Sequence, residues 1–161
     1  MKLHETYDLA CTPERFWTLY WSDAIREHLA ALGGREQTMS DATEAGVRVV
    51  VTRVTSTVPL PRAVVRVTGT NELRYERTLN YDEAKRHLTW SVRSAVVPDK
   101  VKAEGEMAVE ARGEGCRLRI QGVIAVHIPL IGRGIEKAVV QEIVTGYDGL
   151  VKVMTKALGQ T

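Results

Sequence analysis

The chain has 161 residues, 44% hydrophobic and 26% charged, with 22 basic against 20 acidic side chains and a formal net charge of +2. That length can bury a sizeable core without disulfides or metal, and one ordinary globular domain over residues 1–161 is expected. The near-balanced charge lacks the concentrated basic face that phosphate binding favours, so no nucleic acid partner is expected.

No apolar run approaches the roughly 20 residues of a membrane-spanning helix. Glu5 and Asp8 interrupt the start of the chain, which therefore does not read as a signal peptide. Cys11 and Cys116 form no CxxC and have no histidine at ligand spacing, so a reducing, cytoplasmic setting is expected. Transient membrane contact stays open, because it needs no spanning segment.

Along residues 2–9, Leu3, Glu5, Tyr7 and Leu9 alternate with Lys2, His4, Thr6 and Asp8, the period of a strand. Thr12 before Pro13 starts a helix: a hydroxyl to cap free amides, then a residue with φ already fixed. Phe16, Trp17, Tyr20 and Trp21 cluster there as a packing face that also borders any cavity mouth. Ser22 and Asp23 offer a second cap, and Ile25, Leu29 and Leu32 carry a second short helix to a stop at Gly33-Gly34.

From residue 35 the period changes to two. Residues 35–42 form a weak strand, Ala45-Gly46 a turn, and 47–57 a β-branched strand. In 58–69, Pro59 and Pro61 argue against a central strand and leave a loop or one short helix. With Arg62 and Arg66 set among valines, this piece is either a packed connector or a flap over an entrance that touches membrane. Residues 71–81, 86–95, 101–111 and 116–128 alternate again, separated by turn signals. Finally, Ile135, Val139, Ile143, Tyr147, Leu150, Met154 and Leu158 line one face of a helix over 132–158, with Glu142 on another face. Such a helix runs about 40 Å, across a whole small domain.

This order indicates an α+β fold: a curved antiparallel sheet of about six to seven strands gripping a long C-terminal helix, with two short helices after the first strand. Together with the run Ile128-Pro129-Leu130-Ile131-Gly132-Arg133-Gly134-Ile135-Glu136 leading into the last helix, it resembles the START-like superfamily, also called SRPBCC or helix-grip proteins, and within it an uncharacterised bacterial branch. The resemblance implies a cavity between sheet and helix that takes a lipid, sterol, polyketide or other small apolar molecule, with cyclase or aromatase chemistry in a minority of members. It carries over no catalytic residue, because the superfamily has no universal catalytic motif. Members linked to Rieske oxygenases need iron, whereas His4, His28, His87 and His127 are scattered, so no metal or cofactor is expected.

The candidate ligand-binding residues are Tyr75, Leu88, Trp90, Val92, Met107, Leu118 and Ile120 from the sheet, with Val139, Ile143 and Tyr147 from the helix. Each faces either a cavity or plain core. Trp90 carries an indole N–H that wants a partner inside. Glu5 and Arg77 share parity with apolar neighbours, and an ionised group is costly to bury unpaired, so each should meet a partner, a water or a ligand head group. An inward Arg77 would hold a carboxylate or phosphate; a register break would instead leave it solvated.

No GxSxG, Gly-rich phosphate loop or HExxH is present. Three functions follow: binding, transport or sensing of a small apolar molecule or lipid; a polyketide cyclase or aromatase using the same cavity; or a protein-interaction module around a solid core. Nothing in the chain specifies an oligomeric state.

Overall fold

The computed structural model describes residues 1–32, 34–56 and 59–159. Strand β1 (Lys2–Leu9) is followed by helices α1 (Pro13–Tyr20) and α2 (Asp23–Leu32), strands β2 (Arg35–Glu44) and β3 (Val47–Thr55), and the short helix α3 (Arg62–Thr68). Strands β4 (Arg74–Asp82), β5 (His87–Ser94), β6 (Val101–Arg112) and β7 (Gly115–Val126) then lead to helix α4 (Gly132–Gly159). The seven strands form one antiparallel sheet in the order β1-β7-β6-β5-β4-β3-β2. Six neighbour one another in chain order, and β1 pairs with the last strand. The expected fold class is the one found. Gly33, Thr57 and Val58, which belong to the predicted helix stop, strand end and connector start, lie outside the described residues.

The local chemistry follows the sequence. The Thr12 hydroxyl accepts the Arg15 amide at 3.2 Å and caps α1. Ser22 departs from its predicted part: its hydroxyl donates to the Leu19 carbonyl at 2.6 Å, and only its backbone carbonyl starts α2, accepting Arg26 N–H at 3.0 Å. Ala45 and Gly46 both take positive φ, 52° and 78°, as a two-residue hairpin turn requires. The run before α4 has a mechanical reason. A Cβ on Gly132 would lie 2.1 Å from the Val126 carbonyl oxygen, so only glycine lets the helix start this close to the end of β7. The Glu136 carboxylate then accepts the Val126 amide at 2.9 Å, which locks helix to strand and holds its pKa below the usual carboxylate range.

Helix α4 lies across β7 and β1 and against α2. Two residues of its C-terminal half are sealed: Leu150 and Met154 join Phe16, Leu88, Met107, Leu118, Ile120 and Ile124 in a core where none exceeds 1% exposure. Tyr7 donates to Asp148 at 2.8 Å and ties β1 to the same half. The α1 aromatics behave as a packing face, with Trp17 against Tyr81 at 4.6 Å and Phe16 edge-on to Trp17 at 5.2 Å. Arg48 stacks on Trp21 at 4.2 Å, closing that end of the sheet. Cys11 and Cys116, distant in sequence, meet with free buried thiols 3.8 Å apart, and burial beside Cys11 pushes the Cys116 thiol up to about 12.

At the middle of the sheet Trp90 sits opposite Gly105, which sits opposite Gly122. A Cβ on Gly105 would lie 2.4 Å from the indole and 2.2 Å from the Gln121 carbonyl oxygen; one on Gly122 would lie 2.7 Å from the indole and 2.8 Å from the Glu104 oxygen. The indole therefore covers a bare patch of two strands, and those strands approach closer than any other residue allows. Gly105→Ala is expected to destabilise the protein by about 1–3 kcal/mol, read as a lower denaturant midpoint, and Trp90→Leu should not rescue it because the backbone oxygen remains. A neutral Gly105→Ala would show that the close approach is not required.

Candidate functional site

The inner face of the sheet divides into two regions. Leu88, Met107, Leu118 and Ile120 retain 0–1% of their surface, so they border no void able to admit water. Trp90 is 6% exposed, and its indole N–H meets no acceptor among the described residues. In contrast, Tyr75, Arg77 and Val92 from the sheet, and Val139, Ile143 and Tyr147 from α4, are only half-buried although they face inward. Glu5, opposite Ile120 on β1, is also half-buried and bears on Tyr7, away from the Arg77 group.

In register, Glu36 on β2, Val54 on β3, Tyr75 on β4 and Ser94 on β5 make one row across the inner face, and Thr52, Arg77 and Val92 make the next. Arg77 Nη2 donates to both carboxylate oxygens of Glu36 at 3.1 Å, with Arg77 27% and Glu36 10% exposed. Arg77 is therefore inward, as parity predicts, but its charge is met by a protein carboxylate. Its Nε is buried without an acceptor among the described residues. Glu36 was not legible in advance because it sits in the weakest strand. A register shift between Thr38 and Ser40 then returns Asp41, opposite buried Val50, to the same face.

From the other wall, Glu142 of α4 accepts the Ser56 hydroxyl at 3.3 Å, just past the end of β3. Assigning it to another helix face is corrected here: it turns toward the sheet. The available signal was that Glu142 is the only charged residue between Lys137 and Asp148. Burial raises its pKa, opposed by the Ser56 bond. The Tyr75 phenol is pushed up to about 12, mainly by burial, with Arg77 pulling it down and Glu142 and Glu36 raising it further. Burial also raises the Tyr147 phenol. Both phenols stay neutral near pH 7, available as donors or acceptors.

This arrangement offers an apolar floor, two neutral phenols, one internally neutralised ion pair and one carboxyl without a cationic partner among the described residues. Two depressions of about 580 and 680 Å³ lie elsewhere, lined mainly by outward residues such as His4, Glu106, Arg119 and Gln121. Among the described residues no three His, Cys, Asp or Glu side chains converge as a metal site would require. Among them, too, no helix is long and apolar enough to cross a membrane.

A model of a family described as a protein of unknown function (DUF2505) matches residues 4–158. No curated protein matches the sequence. The fold is similar to norcoclaurine synthase from Thalictrum flavum, 17% identical over 96% of this chain and 86% of that one, with a TM-score of 0.64. It is similar to the ZhuI aromatase/cyclase from Streptomyces sp. R1128, 14% identical over 94% and 92% with a TM-score of 0.62. A START superfamily protein from Mycobacterium smegmatis is 12% identical over 96% and 99%, with a TM-score of 0.61. The START-like fold stands on these likenesses.

Arg77→Met leaves Glu36 buried without its cation and is expected to cost about 1–3 kcal/mol, most of it recovered in Arg77→Met/Glu36→Gln. Equal costs in the single and double variants would show that the pair is not coupled. A carboxyl whose folded pKa is raised contributes stability when protonated, below its unfolded pKa, and loses it as pH rises through the folded value. Glu142→Gln should therefore match the parent's melting temperature near about pH 4 and exceed it near about pH 7.5. A variant less stable than the parent at the higher pH would contradict the burial of Glu142.

Proposed function

This chain belongs to the family described as a protein of unknown function (DUF2505), and we propose that it binds a small, largely apolar molecule between the first half of α4 and the inner face of β3, β4 and β5. One observation carries this reading. Inward Val139, Ile143 and Tyr147 keep accessible surface, as do Tyr75 and Val92 on the sheet, whereas Leu150 and Met154, about one to four turns later, keep almost none. A solid core would enclose both halves of the helix alike.

A ligand tail laid against those side chains gains about 25 cal/mol per Å² of apolar surface before the costs of association. The polar groups at the rim then fix its orientation. Leu88, Trp90, Met107, Leu118 and Ile120 form the packed floor, and Arg77 acts through its pair with Glu36. Access is at the end of the sheet where β3 leaves for α3, a helix with Val64 buried and Val67 58% exposed. Carrying or sensing the molecule, with transient membrane contact at α3, fits this placement.

A second reading, cyclase-like acid–base chemistry, is favoured by one observation: the Glu142 carboxyl bears on the Tyr75 phenol across the same space. Both readings need the space to exist. Ile143→Trp is expected to fill it, leaving the melting temperature unchanged or higher while weakening binding of the fluorescent apolar probe N-phenyl-1-naphthylamine at least about tenfold. A steep fall in stability would mean that Ile143 is packed core. For the second reading, the Tyr75→Phe and Glu142→Gln variants should bind the probe normally but fail to convert a poly-β-ketone chain that the parent cyclises.

A further inference from the structure

We infer that the molecule taken up between α4 and the sheet carries a positively charged amine at its polar end. This rests on the reading that the space binds an apolar ligand. It reverses the sign of the head group that an inward arginine suggests.

The charges facing this space are unevenly matched. Arg77 and Glu36 cancel: one guanidinium nitrogen reaches both carboxylate oxygens at 3.1 Å, and both side chains are mostly buried. An anionic head group brought to Arg77 would have to displace Glu36 and leave that carboxylate stranded, which costs more than the new contact returns. Glu142 has no such partner among the described residues. The Ser56 hydroxyl at 3.3 Å is its one hydrogen-bond donor among the described residues. Along its own helix the neighbours three and four residues away are Ala138, Val139, Thr145 and Gly146, none of them basic. Glu36 and Glu142 against Arg77 leave one carboxylate more than cations here, and the Glu142 charge bears on the Tyr75 phenol.

Carboxylate, phenol faces and hydrocarbon together form the environment that recognises an alkylammonium group: a charge-assisted hydrogen bond to the acid, the ring quadrupole beside it, and a tail on Val139 and Ile143. Nonspecific attraction does not explain such a preference, because the chain as a whole carries +2.

The test compares decylammonium, decanol and decanoate by calorimetry at one pH and salt, below their aggregation limits. The expected result is decylammonium at least about tenfold tighter than decanol, with decanoate weakest. Glu142→Gln should bring decylammonium to within about twofold of decanol and leave decanol unchanged, while a surface control, Glu114→Gln, should keep the full preference. Decanol binding as tightly as decylammonium, or an ammonium preference that survives Glu142→Gln, overturns the inference and leaves the apolar site intact. If none of the three probes binds, the apolar-site reading fails and this inference falls with it.

Discussion

The close approach of β6 and β7 under the Trp90 indole is the constraint on which the rest of the structure depends. Two glycines facing each other on adjacent strands remove the side chains that would otherwise occupy the middle of the inner face, and the indole of the central strand takes their place. Burying an aromatic of that size removes about 150–250 Å² from water, worth about 4–6 kcal/mol at 25 cal/mol per Å². The indole N–H, without an acceptor among the described residues, offsets about 1–3 kcal/mol of that. Packing wins, so the tryptophan is a wedge that shapes the sheet, and its polar edge does not need a ligand to explain it.

That wedge separates two environments. On the side of β1, β6 and β7 the helix has somewhere flat to lie, and Leu150 and Met154 complete a core with no accessible surface. On the side of β2, β3 and β4 the inward side chains keep part of their surface accessible, and Glu36, Arg77, Tyr75 and Glu142 lie there. The separation is physically consistent: ions and phenols tolerate a wet, half-open space and not a sealed one. Glu36, Arg77 and Glu142 sit at different points on that scale. The first two hold each other's charge in place. The third is held near the interior by its helix and, among the described residues, by Ser56, an arrangement that costs stability at neutral pH.

The architecture was legible in the sequence because its signals are periodic. Alternation along β6 and β7, the Thr12-Pro13 start and the long stripe from Ile135 to Leu158 each state their own element. For Arg77 parity left two placements, inward or solvated by a register break, and it is the inward one that pairs with Glu36. What the sequence hid depends on irregularity and on contacts between distant segments. Glu36 reaches the inner face from an exposed edge strand whose register shifts between Thr38 and Ser40, and no alternation pattern reports a shift before the partner strand is known. Glu142 was misplaced because helix angle alone puts it beside the apolar stripe; it takes the end of β3 to turn it inward. The two cysteines meet only because β1 pairs with β7, the longest-range pairing in the sheet.

The likeness to a synthase, an aromatase/cyclase and a START superfamily protein at 12–17% identity fixes the fold and leaves the chemistry open. What distinguishes carrier from catalyst in such a scaffold is the mouth of the space. An acid–base enzyme needs two groups whose proton affinities differ and whose atoms both reach one reacting bond. Here the Tyr75 phenol and the Glu142 carboxyl are both shifted in the same direction, toward the neutral form, by the same cause, burial. The phenol, pushed up to about 12, holds its proton far more tightly than the carboxyl does, so near pH 7 the two do not exchange a proton with each other and both serve as hydrogen-bonding groups for a polar end. A cationic head group would change that balance at once: it would favour the ionised carboxyl, gather the phenols around it and close the gap that the helix leaves open. Under the proposed reading, binding is the step that Tyr75 and Glu142 serve directly.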